Sequence, residues 1–107
     1  MGMVNRDWRQ TFSERIAPRL AGSGLAGVLK VVIDGEAQPY YLSLSRGRLE
    51  PAAPPKVDGI VRASAADLEA LLAGRMTLAD GMLTERIGVS GDVRLVVGLG
   101  RVRAGVA

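Results

Sequence analysis

The chain has 107 residues, enough for one domain, which at this size buries roughly two-thirds of the surface its unfolded chain exposes. A hydrophobic fraction of 48% and a charged fraction of 23% exclude a disordered or fibrous chain, and a net charge of +3, from 14 basic and 11 acidic residues, excludes a strongly polybasic or polyacidic one. Cysteine and histidine are both absent, which removes disulfides, thiolate nucleophiles, imidazole general bases and the commonest metal ligands.

No apolar run approaches the roughly 20 residues that a membrane-spanning helix needs, and Met1 to Asp7 is too polar for a signal peptide, so a cytoplasmic location is expected. The aromatic residues Trp8, Phe12, Tyr40 and Tyr41 are too few for a base-stacking platform, and no nucleic-acid partner is expected.

In chain order, Asn5 is placed to cap a helix from about Arg6 to Leu20, because Trp8, Phe12, Ile16 and Leu20 recur on one face. Pro18 threatens its last turn, and Ala21-Gly22-Ser23-Gly24 ends it in a loop. The runs VLKVVID (28–34) and PYYLSLS (39–45) flank the turn residues 34–38 and predict an antiparallel hairpin. Alternation puts Leu29, Val31 and Ile33 on the buried face with Tyr40, Leu42 and Leu44, and puts Lys30, Asp34, Tyr41, Ser43 and Ser45 on the wet face. Arg46-Gly47 is a second turn, and 48–50 reads as an edge strand ending before the prolines of 51–55.

GIVRA (59–63) predicts a further strand, with three or four antiparallel strands expected up to this point. Ser64 and Asp67 then have the spacing of a capping box, opening a helix that presents Leu68, Leu71 and Leu72 and stops at Gly74. Thr77 and Asp80 repeat that spacing at the start of a second short helix, which Gly81 weakens. RIGVS (86–90) reads as a strand closed by Gly91-Asp92. Residues 93–102 suit a strand by their valines and a helix by the spacing of Leu95, Leu99 and Val102, and local rules leave both open.

GSGLAG (22–27) matches the dinucleotide-binding pattern letter for letter, but that motif needs a strand before it and a helix after it. Here the order is reversed, and the segment reads as a loop. Asp58, Asp67, Asp80 and Asp92 lie at turns and helix starts, where carboxylates cap and complement the helix dipole. The serines have no histidine to activate them, and neither Lys30 nor Lys56 has neighbours that would depress an amine pKa, so no catalytic residue, metal ligand or cofactor site is expected. Arg46, Arg48, Arg62, Arg86, Arg94, Arg101 and Arg103 could together face a phosphate backbone or an anionic lipid surface, but a solvated face is the preferred reading, because acidic residues interleave and no lysine-rich run exists. Leu71, Leu72, Met76, Leu78, Met82 and Leu83 form an apolar cluster that reads either as core or as the wall of a cavity for an apolar ligand.

Read as one unit, residues 58–102 resemble the sterol carrier protein 2 (SCP2)-like domain, which runs strand, acid-Leu helix, Gly-Lys or Gly-Arg, short helix, Gly, then a strand ending Gly-Asp or Gly-Asn. Gly74-Arg75-Met76 stands at that family's Gly-Lys-Met-like turn, and residues 86–92 stand at its last strand and turn. With Asp34-Gly35 and Arg46-Gly47 as hairpin turns, the resemblance extends from about Ala26 to Val102 in a single domain spanning 1–107. The sequence departs from the family pattern at Leu78-Ala79-Asp80, where bulkier or aromatic residues are common.

The resemblance implies an α+β fold: a twisted, five-stranded, mainly antiparallel sheet with helices on one face enclosing an apolar tunnel, and a helix over 93–102. It implies non-catalytic binding and carriage of a fatty acid, acyl-CoA, sterol or isoprenoid/quinone lipid, with Leu72, Met76, Met82, Leu83, Leu95 and Leu99 lining or gating the tunnel. No catalytic residue transfers. The chain ends Ala104-Gly105-Val106-Ala107 without the peroxisomal tail of some carriers, which again points to the cytoplasm. The competing expectation is an accessory module with a filled core that docks to an enzyme of lipid or quinone metabolism, and a third is an anionic-surface binder. Self-association stays open.

Overall fold

The computed structural model describes residues 7–20, 22–50 and 52–104, the last three by their backbone alone. The amino-terminal helical segment covers 8–20 and has three parts: α1 (Trp8–Thr11), a π-helical turn (Phe12–Ile16) and α2 (Ala17–Leu20). The expected cap Asn5 and first residue Arg6 lie outside the described residues; among those described, Asp7 caps the helix, its carboxylate accepting from the Arg9 N–H at 2.9 Å. Pro18 does not end the segment. It has no N–H to give the preceding turn, and the wider winding before it, in which the Ala17 N–H bonds to the Phe12 carbonyl, accommodates the ring. Trp8, Phe12, Ile16 and Leu20 are all buried, as their spacing predicts.

The sheet contains β1 (Val28–Ile33), β2 (Tyr40–Ser43), β3 (Arg48–Glu50), β4 (Gly59–Ala63) and β5 (Gly88–Gly91), in spatial order β3-β2-β1-β4-β5. In the β1-β2 hairpin Leu29 faces Leu42 and Val31 faces Tyr40, the alternation expected. Leu29, Val31, Ile33, Leu42, Val61 and Ala63 share the buried face. Ser43, assigned by alternation to the wet face, is buried at the end of β2, where the Gly47 N–H bonds to its carbonyl and closes the next turn.

The strand pairing departs from expectation at β4, which runs parallel to β1, Leu29 pairing with Gly59 and Ile33 with Ala63, while its other edge pairs antiparallel with β5. Residues 52–57, among them Pro54 and Pro55, form no strand, and β4 enters at the end where β1 begins. The other three pairings are antiparallel.

Asp58 ties that end together: its carboxylate accepts from the Val28 N–H at 2.9 Å, its own N–H donates to the Val28 carbonyl at 2.9 Å, and its carbonyl accepts from the Asp92 N–H at 2.9 Å. Gly91, with φ of 79°, lets β5 pass this knot, since a Cβ there would lie 2.8 Å from the Asp58 carbonyl oxygen.

Helices α3 (Ala65–Ala73), α4 (Leu78–Leu83) and α5 (Val93–Ala104) complete the fold. Both expected caps form: Ser64 Oγ accepts from the Asp67 N–H and Thr77 Oγ1 from the Asp80 N–H, each at 3.0 Å. Gly74, at φ 86°, closes α3 with its N–H and that of Arg75 returned to the last turn. Gly81 is a packing contact rather than a weak point: a Cβ there would lie 2.5 Å from Ile87 Cγ1. Residues 93–104 are helical, in agreement with the resemblance and with the spacing of Leu95 and Leu99.

The core joins Trp8, Phe12, Ile16 and Leu20 to the buried sheet face and to Leu68, Leu71, Leu72, Val96 and Leu99. A buried carboxylate fastens the amino-terminal helix to α3. Glu69, only 5% exposed, accepts from Thr11 Oγ1 at 3.0 Å and pairs with the Arg75 guanidinium.

Candidate functional site

Helices α3, α4 and α5 meet around a narrow apolar crevice lined by Leu71, Leu72, Leu78, Val96, Leu99 and Gly100, with a volume of about 20 Å³. Every lining residue is apolar, and the spacing of Val96, Leu99 and Gly100 places all three on one face of α5. Leu71, Leu72, Val96 and Leu99 are buried, while Leu78 and Gly100 are half-buried. This space lies among helices, with no strand residue in its wall.

Leu72 also borders a second, larger and polar groove of about 340 Å³, formed with Glu14, Arg15, Pro18, Arg19 and Ala73. One wall is therefore shared between an apolar crevice and a charged groove. Arg15 is partly anchored there, its guanidinium donating to the Ala73 carbonyl at 3.3 Å. The carboxylate of Glu14 on the same rim makes the groove mixed in sign.

The six residues expected to line or gate a tunnel are placed in three ways. Leu72 and Leu99 line the crevice together. Met76 and Leu95 are partly buried against the core, and Leu95 abuts the loop before β1, where a Cβ on Gly27 would lie 3.0 Å from its Cδ1. Met82 and Leu83 are 40% and 82% exposed and do not line the crevice. Sequence reasoning missed Val96 and Gly100, which the helical reading of 93–102 puts beside Leu99, and it missed Arg15 and Arg19, an exposed i, i+4 pair that borders α3 at Leu72 and Ala73.

The other charged groups have local duties. Arg9 holds the Asp7 carboxyl below its ordinary range through a side-chain hydrogen bond, and Arg94 does the same to Asp92. The Tyr40 hydroxyl is raised, chiefly because it donates to the Glu36 carboxylate at 2.6 Å, and the Tyr40 and Trp8 rings meet in a T-shaped pair with centroids 5.2 Å apart. The GSGLAG segment is a loop between helix and strand, with Leu25 seated against Gly98 of α5. Among the described residues, no three carboxylates come together in a way that could hold a metal ion, and no helix is long and apolar enough to cross a membrane.

Solved structures share this architecture. Sterol carrier protein-2 from Aedes aegypti, in complex with palmitate, superimposes with a TM-score of 0.72 at 18% identity, covering all of both chains. The ubiquinone synthesis protein UbiJ-SCP2 gives a TM-score of 0.62 at 22% identity, covering 89% of this chain and 72% of that one. The sec-alkylsulfatase Pisa1 from Pseudomonas sp. gives 0.66 at 20% identity; 82% of this chain is covered, but it spans only 14% of the sulfatase. No curated protein matches the sequence. The SCP-2 sterol transfer family model, however, matches residues 13–102, from the π-helical turn through the sheet to α5, and the protein belongs to that family.

Proposed function

We propose that this protein binds and carries an amphipathic lipid without altering it, the apolar chain entering the crevice among α3, α4 and α5 and the anionic head resting in the Arg15/Arg19 groove. The observation that carries this reading is the shared wall at Leu72, which joins an apolar space to a groove bearing two guanidiniums and one carboxylate, a net positive site. Leu72 and Leu99 form the chain's first contacts, Met76 and Leu95 are drawn into the lining as the helices part, and Met82 and Leu83 form the outer rim. Each methylene taken from water contributes about 0.8 kcal/mol, so a long chain offsets the separation of three small helices. The palmitate held by the mosquito relative and the quinone pathway named for UbiJ-SCP2 both support a lipid of this kind.

Delivery at an anionic bilayer has its own support on α5. Its outward face carries Val93 and Val97, 42% and 44% exposed, beside Arg94 and Arg101, and the helix contains no acidic residue.

Native mass spectrometry of the gently purified protein, followed by displacement of a fluorescent fatty acid, tests the carrier reading. Lipid near one per chain with competitive displacement is the expected result. An empty protein that ignores the probe refutes it and leaves a module with a filled core.

A further inference from the structure

Four apolar residues of the amino-terminal helical segment recur at every fourth position, and all are buried: Trp8, Phe12, Ile16 and Leu20 are each 3% exposed or less. In a regular α-helix such a row drifts. At about 3.6 residues per turn each step of four overshoots a full turn by roughly 40°, and three steps overshoot by roughly 120°. The π-helical turn at Phe12–Ile16 takes up part of that excess, because its wider winding spends more residues on a turn, and the row stays against the core.

The same winding governs the neighbouring row, Thr11, Arg15 and Arg19. Thr11 Oγ1 donates to Glu69 and Arg15 donates to the Ala73 carbonyl, so one step of four here matches one step of four on α3. Arg19 lies one step further on, where α3 has already ended at Ala73. Arg15 and Arg19 thus line the charged groove together beside Leu72 and Ala73, with Pro18 in the same wall.

Pro18 supplies a local cause for the winding. It has no N–H to give the Glu14 carbonyl four residues back, and in a regular helix its ring would press on that carbonyl. We propose that Pro18 is a positioning residue for the anionic head of the ligand: the π turn it imposes keeps Arg15 and Arg19 in one line along the groove, where both guanidiniums reach a single head group. This rests on the lipid-binding reading above and deepens it, by assigning what builds the head-group end of the site. Pro18 acts only through the two arginines. With alanine in its place the N–H returns, the turn rewinds towards the regular helix, and Arg19 moves round the axis relative to Arg15 by up to about 40°.

The test uses the full chain and displacement of cis-parinaric acid by hexadecanoic acid and by 1-hexadecanol, which share a chain and differ in the head. The parent should favour the acid at neutral pH and lose that preference as salt rises. In Pro18→Ala, shown to be folded by thermal unfolding, the preference for the acid should fall about fivefold or more while displacement by the alcohol stays within about twofold of the parent. A role in packing alone would weaken both ligands together. The Arg15→Gln, Arg19→Gln double variant should lose the preference, and adding Pro18→Ala to it should change nothing further. A folded Pro18→Ala protein that keeps the parent's preference for the acid overturns the positioning role and leaves the carrier reading intact. A parent that takes acid and alcohol equally overturns it together with the head-group site, and a parent that binds neither overturns the carrier reading as well. Should Pro18→Ala fail to fold, Pro18→Ser, which restores the same N–H, decides.

Discussion

Gly81 shows how much a single missing methyl can matter. Its amino-acid type argues for a weak helix, but its place against Ile87 makes it the point where α4 touches the segment leading into β5, and its carbonyl accepts the N–H groups of both Arg86 and Ile87. Gly81→Ala should therefore destabilise the protein by about 1–3 kcal/mol, overpacking outweighing the gain in helix propensity. Urea denaturation with an unchanged slope checks this. The contrast with Gly100 is instructive, since the same substitution in α5 meets no atom and is expected to leave stability level or higher.

At the scale of elements, the amino-terminal helix carries an acid-sensitive cap. Asp7 is lowered by its hydrogen bonds from Arg9, so the stability it contributes is fully present above its ordinary value of 3.8 and is lost as pH falls through the lower folded value. The cap is exposed and its contribution is modest. Trp8, the sole tryptophan and the first residue of the helix, is buried beside it and reports the change. On acidification below about pH 4 the Trp8 emission should shift to the red, and in Asp7→Asn, which keeps a capping side chain that does not titrate, this transition should be smaller.

A second prediction belongs to α5. Its exposed valines and arginines should bind vesicles containing phosphatidylserine and not neutral vesicles, with affinity falling steeply between low and physiological salt. Arg94 is partly neutralised by Asp92, with hydrogen bonds at 3.0 and 3.2 Å, so Arg101→Gln should weaken vesicle flotation more than Arg94→Gln does. Equal loss from both, or binding indifferent to lipid charge, would count against this face.

For the molecule as a whole, ligand binding and stability are linked. A fatty acid present at about 100 times its dissociation constant should add about 2.7 kcal/mol of stability, seen in calorimetry as a midpoint that rises with ligand concentration. The same experiment on a Leu72→Ala, Leu99→Ala double variant should show a lower starting midpoint and a smaller rise, because both residues belong to the core and to the crevice wall.

Much of this fold is legible from local pattern alone. Four-residue spacing from Trp8 to Leu20, alternation in 28–33, the Ser64 and Thr77 caps and the Gly74 stop each depend on neighbours within a turn or a strand, and the structure realises them where expected, whereas the alternation of 39–45 breaks at the buried Ser43. By itself the sequence determined the elements, which face of each is apolar, and, through the joint order of weak motifs, the family. Only the tertiary structure decided which apolar faces meet and what space they leave. The parallel β1-β4 pairing joins residues thirty apart in the chain, such as Leu29 and Gly59, by a path that local spacing does not encode. The outward turn of Met82 and Leu83, and the different surroundings of Gly81, Gly98 and Gly100, follow from how short helices pack. Periodicity tells a side chain which way to point along its own helix or strand; its partners across the core are set by the course of the whole chain.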